Sequence, residues 1–143
     1  MEKITFTLVT AEKEMASQQA ESVIVPGRAG LLGVLPHHVP MVVTLGAGLV
    51  TLENAKQKPV HYFISGGFVD ITPDSCTVLA EHGYHMKDLV PSEIDSEIAR
   101  LQTKIAEIKD PFKNLKSRQQ LFINKAKLAA LNGIPYTGVV PEA

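Results

Sequence analysis

The sequence predicts an all-β plus α protein, a β-rich domain followed by an α-helical hairpin, in a chain of 143 residues. Three observations predict it. Up to residue 91, apolar side chains recur with a period of two between turn signals. Eight of the ten glycines and six of the nine prolines lie in that stretch. From residue 92 the apolar period becomes that of a helix.

The first strand alternates Ile4, Phe6 and Leu8 with Thr5 and Thr7, so one face is buried. Val23-Ile24-Val25 is a second run, ended by Pro26-Gly27. Leu31 to Leu35 is a third, broken by Gly33 and stopped by Pro36. Met41-Val42-Val43 is strand-sized. Gly48 to Leu52 alternates again, and the polar stretch Asn54 to Lys58 turns the chain into Val60 to Ser65 as a hairpin. Gly66-Gly67 breaks or bulges the chain before Phe68 to Ile71. Pro73-Asp74-Ser75 makes a turn ahead of a strand over Cys76 to Ala80. At least seven short strands at this spacing predict a sandwich or flattened barrel over residues 1–91.

Ser92 reads as a helix N-cap, with Asp95 three residues on in a capping-box-like arrangement. Ile94, Ile98, Leu101, Ile105 and Ile108 follow at steps of four, three, four and three. That stripe is a narrow seam suited to a partner helix. Asp110-Pro111 ends the first helix, because the residue before a proline is pushed out of the helical region. A second helix follows, roughly Phe112 to Leu131. Leu115, Phe122, Ala126 and Ala129 share one of its faces, and Gly133 with Pro135 stops it. The short turn implies an antiparallel hairpin over residues 92–131. Residues 132–143 read as an irregular tail.

Composition excludes several classes. A chain of this length buries roughly 70% of its unfolded surface, so it needs no disulfide or metal for a core. One cysteine cannot make an internal disulfide, so a reducing compartment is expected. The net charge of −1 argues against a nucleic-acid binder. No apolar run is long enough to span a bilayer, and no targeting segment is expected at the N-terminus. The average conceals an asymmetry. Residues 1–91 carry six basic and nine acidic side chains, a net of −3, whereas residues 92–143 carry eight and six, a net of +2.

Catalytic constellations are scarce. The histidines at 37, 38, 61, 82 and 85 lack the cysteine pairs or HExxH spacing of a zinc site, so structural or surface roles are expected. Ser65-Gly66-Gly67 lacks the Gly-x-Ser-x-Gly pattern of a nucleophile elbow, and no phosphate-binding glycine loop occurs. Cys76 sits mid-strand in an apolar context and reads as inert. Two features point to protein contacts instead. Leu31, Leu32 and Leu35 lie among glycines in a loop, where exposed apolar groups mark an interface. Lys113, Lys116, Arg118, Lys125 and Lys127 leave the second helix without any acid between Pro111 and Leu131, which suits an acidic partner.

The ordered motifs are specific where each alone is weak. They are Phe6-x-Leu8-Val9-Thr10, Val25-Pro26-Gly27, and Gly30-x-x-Gly33-Val34-Leu35-Pro36-x-His38-x-Pro40. Leu45-x-x-Gly48, Phe63-x-Ser65-Gly66-Gly67-Phe68-Val69 and Val78-Leu79-Ala80-Glu81 follow. With the two-helix C-terminus, the set resembles the epsilon subunit family of the F-type ATP synthase, called delta in mitochondria. The resemblance covers nearly the whole chain. It implies a ten-stranded β-sandwich and a helical hairpin in a subunit that is no enzyme. It implies a place on the central stalk against the gamma subunit and the c-ring, turning with them and helping to couple proton flow to ATP synthesis. In bacterial members it also implies a hairpin that folds on the sandwich or extends along gamma; extended, it inserts among the alpha and beta subunits of the catalytic head and inhibits ATP hydrolysis. The location implied is peripheral, on the cytoplasmic face of a bacterial inner membrane or the matrix face of a mitochondrion.

By the same resemblance, Arg28, Ala29, Gly30, Leu31, Leu32 and His38 would meet the c-ring or gamma, and the five basic residues of the second helix would meet the catalytic head. The family position linked to the c-ring is acidic in some members; Leu31 fills it here, so an apolar contact is expected. A free-standing sandwich whose basic hairpin holds an acidic partner is the competing reading. Some bacterial members bind ATP through Ile/Leu-Asp-x-x-Arg-Ala at the start of the first helix. Ile94, Asp95 and Ala99 match, but Ile98 stands where the arginine belongs. Arg100 lies about 200° further around the helix, a poor substitute. Neither cofactor nor metal is expected, and calorimetry on the isolated chain should show no micromolar ATP affinity.

Overall fold

The computed structural model describes residues 2–133, which hold ten strands, a 3₁₀ turn and two α-helices. The chain divides into two compact units, Met1–His85 and Met86–Ala143. The division thus falls after His85, whereas the change of period alone places it after residue 91.

The first unit holds β1 (Ile4–Val9), β2 (Glu14–Ala20), β3 (Ser22–Gly27), β4 (Gly30–Val34) and β5 (Met41–Leu45). It continues with β6 (Gly48–Glu53), β7 (Val60–Ile64), β8 (Gly67–Ile71), β9 (Ser75–Ala80) and β10 (Gly83–His85). Hydrogen bonding runs in the order β10-β7-β6-β3-β5-β8-β9-β1-β2, with β4 on β3. All neighbours are antiparallel except β1 and β9. The strand β3 is the corner. Its start, Ser22 to Ile24, pairs with β6, and its last residue, Gly27, pairs with Leu45 of β5. Along Val23 to Gly27 its other edge carries β4. One continuous sheet therefore folds over into two layers, in the manner of strands that turn sandwich corners.

The period of two is realised directly. Ile4, Phe6 and Leu8 are fully buried, and Thr5 between them is exposed. Phe6 of β1 stacks on Tyr62 of β7 at 6.3 Å between ring centroids, which joins the inner faces of the layers. Val23, Val25, Val34, Val50, Val69 and Val78 fill the same core. One sequence expectation is corrected, and one strand went unread. Pro26-Gly27 does not end the second run; both residues continue β3, and Pro26 is buried. The strand β2 carries a polar sequence, Glu-Met-Ala-Ser-Gln-Gln-Ala, and only Ala20 is buried, so alternation did not reveal it.

In the second unit the 3₁₀ turn covers Met86–Asp88, and α1 (Pro91–Glu107) and α2 (Leu115–Leu131) pack along each other. The helix α1 starts before Ser92. Its N-cap is Val90, which makes no side-chain cap, and Pro91 takes the first helical position, where its missing N–H costs nothing. The same helix stops at Glu107, capped at Ile108, three residues ahead of Asp110-Pro111. The helix α2 begins at Leu115, not Phe112, because residues 111–114 form the turn. Gly133 has φ +71, the left-handed stop expected past a helix C-terminus. The expected tail lies outside the described residues beyond Gly133.

The pair Gly66-Gly67 opens β8 at φ +136 and +140. An added Cβ on Gly67 would sit 2.9 Å from the Cα of Ala80 and closer still to the Leu79 carbonyl oxygen. Two backbone strands leave nothing flexible to give way. Gly67→Ala should therefore destabilise the sandwich by at least about 2 kcal/mol, read as a lower midpoint in urea unfolding.

Candidate functional site

No group of histidine, cysteine or acidic side chains able to hold a metal occurs among the described residues. Ser65 is buried, and its hydroxyl oxygen accepts the N–H of His82 at 3.0 Å. An open groove of about 330 Å³ is lined by Glu21, Ser22, Leu35, Glu53, Asn54, Ala55, Gln57 and Pro59. Its polar groups already bond one another. The Glu21 carboxylate accepts from the Ala55 N–H, Ser22 donates to Glu53, and Asn54 Oδ1 accepts the Glu21 N–H. A small-molecule site would need polar groups converging on the groove, and these are engaged with one another.

The first surface is built by β3 and β4. Arg28-Ala29 is a two-residue turn between the paired Gly27 and Gly30, and the Arg28 N–H donates to Thr44 of β5 at 3.1 Å. Gly30 takes φ +136, a conformation open to glycine. Arg28, Ala29, Gly30 and Leu31 are exposed, with Leu31 at 72%. Strand alternation turns Leu32 the other way, to pack against the core.

His38 belongs to the opposite end of β4. Its N–H donates to the Leu35 carbonyl at 3.2 Å, and its Nδ1 lies 2.7 Å from the Val39 carbonyl oxygen. The five-residue strand β4, about 13 Å from end to end, lies between it and the Arg28 turn. Flanking His38 in sequence, Leu35 is exposed as its loop predicts, and three residues that sequence reasoning missed are exposed as well: Val39 at 72%, Val42 at 66%, and Met41. The unalternating run Val39-Pro40-Met41-Val42-Val43 was the available signal. Apolar groups concentrated like this mark a protein interface. His37, next to them, takes φ +67 and pairs with Glu2.

The second surface is the helical hairpin. Ile94, Leu101, Phe122 and Ala126 are buried; Ile98, Ile105, Ile108 and Leu115 are half-buried. Ser117 joins them on α2. The five basic residues separate. Lys113, Lys116 and Lys125 are exposed, with Lys125 about 180° around α2 from Lys116. Arg118 is spent on the turn. It donates through Nε to Asn114 Oδ1 at 2.8 Å and through Nη2 to the Pro111 carbonyl at 2.9 Å. Lys127 is half-buried, and burial pulls its pKa down while the nearby Glu97 opposes that. Glu97 is paired with Arg100, whose hydrogen bond holds the carboxylate below its ordinary range. Arg100 is thus engaged within α1, and Ile98 is half-buried at the position where the nucleotide motif needs an arginine.

Residues 3–85 match the family model described as ATP synthase, Delta/Epsilon chain, beta-sandwich domain. The chain belongs to the ATP synthase delta/epsilon family. It is 35% identical to the ATP synthase epsilon chain of Mesorhizobium japonicum over 92% of this chain and 95% of that one. It is 34% identical to the epsilon chain of Parvibaculum lavamentivorans over 84% and 91%. A chain of the cryo-EM structure of the Euglena gracilis mitochondrial ATP synthase OSCP/F1/c-ring assembly shares the fold. Its TM-score is 0.80 at 20% identity, covering 92% of this chain and 82% of that one. The family model stops at the sandwich, while the match to the Mesorhizobium japonicum epsilon chain, over 92% of this chain, extends into the helices.

Cys76 is fully buried, and burial pushes its thiol up to about 12 from 9.0. The fold favours the neutral thiol, so this term is complete below pH 9 and is lost as pH rises from 9 towards 12. At pH 8 the native protein should not react with a disulfide reagent such as DTNB, and one thiol should titrate after denaturation.

Proposed function

We propose that this chain is a non-catalytic central-stalk subunit of a proton-translocating F-type ATP synthase. In this reading the sandwich binds the gamma subunit and the c-ring and helps couple c-ring rotation to ATP synthesis. The hairpin docks on the alpha and beta subunits of the catalytic head and restrains ATP hydrolysis. The chain would then be peripheral, on the side of the membrane that carries the catalytic head.

One observation carries the reading: two exposed apolar groups stand on rigid strand ends of a domain of this family. Leu31 is held out by the β3–β4 register, and Val39 with Val42 stands out at the start of β5. Burying such side chains against a partner contributes about 1.5–3 kcal/mol each. Two further features support it. Lys113 and Lys116 are exposed at the end of the hairpin. No described helix is long and apolar enough to cross a membrane, so attachment would come through partner subunits.

The test compares the purified complex carrying the full chain with one carrying a chain ended at residue 91. Both chains should co-purify with gamma and the c-ring, and the truncation should raise ATP hydrolysis several-fold. Unchanged hydrolysis would remove the restraining role. Failure of the full chain to co-purify would remove the stalk assignment.

A further inference from the structure

We infer that Phe112 is the aromatic anchor of a preformed knob at the turn of the helical hairpin, fitted to an acidic protein surface with an apolar recess. This rests on the docking role proposed above and names a residue outside the basic set.

Phe112 is 78% exposed, the most exposed of the large apolar side chains among the described residues. Single exposed apolar residues are common on protein surfaces, so exposure alone decides nothing. The backbone beneath the ring is what sets it apart. The Phe112 N–H donates to Asp110 Oδ1 at 2.9 Å, and the Asn114 N–H donates to the Asp110 carbonyl at 3.2 Å. The Asn114 side chain, itself buried, donates to the Ile108 carbonyl at 3.0 Å, tying the end of α1 to the start of α2. Arg118 closes the frame on Asn114 and on the Pro111 carbonyl. The backbone that carries the ring is thus fixed before binding, so only the two side-chain torsions remain to be ordered, which is how preorganised anchors gain affinity.

Charge selects the partner. Lys109, Lys113 and Lys116, within four residues of Phe112 in sequence, are exposed and have no ion pair among the described residues. The Asp110 side chain is occupied by the turn. A recess edged by carboxylates would match the ring and the ammonium groups together, and aromatic side chains are enriched at the centres of such interfaces. A lipid surface fits less well. Interfacial helices bury a whole apolar face, and here the apolar seam is used between α1 and α2, leaving one ring.

The experiment uses the full chain in the purified complex. Benzoylphenylalanine in place of Phe112 should photocross-link to a subunit of the catalytic head. Phe112→Ala should raise the chain concentration needed for half-maximal restraint of hydrolysis about tenfold, while assembly with gamma and the helical circular dichroism stay unchanged. Phe112→Trp should restore it. Cross-links to lipid only, or none, overturn the anchor, as does cross-linking with Phe112→Ala acting like the parent chain. If removal of residues 92–143 leaves hydrolysis unchanged, the restraining role fails. Cross-linking, with binding to the head measured directly for Phe112→Ala, then decides the anchor by itself.

Discussion

The sandwich depends on how the backbone of Ser22–Gly27 divides its hydrogen bonds. Buried N–H and carbonyl groups must be paired. The strand meets that requirement with β4 along one edge and with β6 and then β5 along the other. The sheet must therefore fold over at this strand, and the fold brings Phe6 against Tyr62. The same pairing aims the exposed surface. Pro26 faces Leu31 and Val25 faces Leu32. A slip of one residue would bury Leu31 and expose Leu32, exchanging an outward side chain for a core one.

The hairpin is governed by a different economy of side chains. Along α1 the seam is made of isoleucines and a leucine, and on α2 small residues, Ser117 and Ala126, are buried beside Phe122. Small residues let two helices approach closely, since interaxial distance follows the side chains at the contact. The turn relies on polar groups. Asn114 is buried, yet both ends of its amide are paired. That uses Arg118 as a brace and leaves Lys113 and Lys116 as charge available to a partner. Surface and scaffold share one basic run but divide its members.

Much of the fold was legible because burial imposes simple periods. Ile4, Phe6 and Leu8 announced β1, and the isoleucine steps announced α1. The strand β2 was not legible, because an edge strand with one buried side chain has no alternation to read. The three residues of β10 are too short for a pattern. The cap at Ser92 failed because Pro91 already supplies a first residue with a fixed helical φ. Among the exposed apolar residues, Leu31 and Leu35 were anticipated from their loop, whereas Val39 and Phe112 looked like ordinary apolar residues.

By itself the sequence determined the strands and helices whose burial is periodic, where the period changes, and where glycine is required. It also carried the ordered motifs that resemble the family. These are local properties, set by a residue and its near neighbours. The tertiary structure alone decided the sheet order and the role of β3 as corner. It alone separated His38 from the Arg28 turn and divided the lysines from the braced arginine. Those outcomes depend on contacts between residues far apart in the chain, and exposure is fixed only when every possible cover has found its own place.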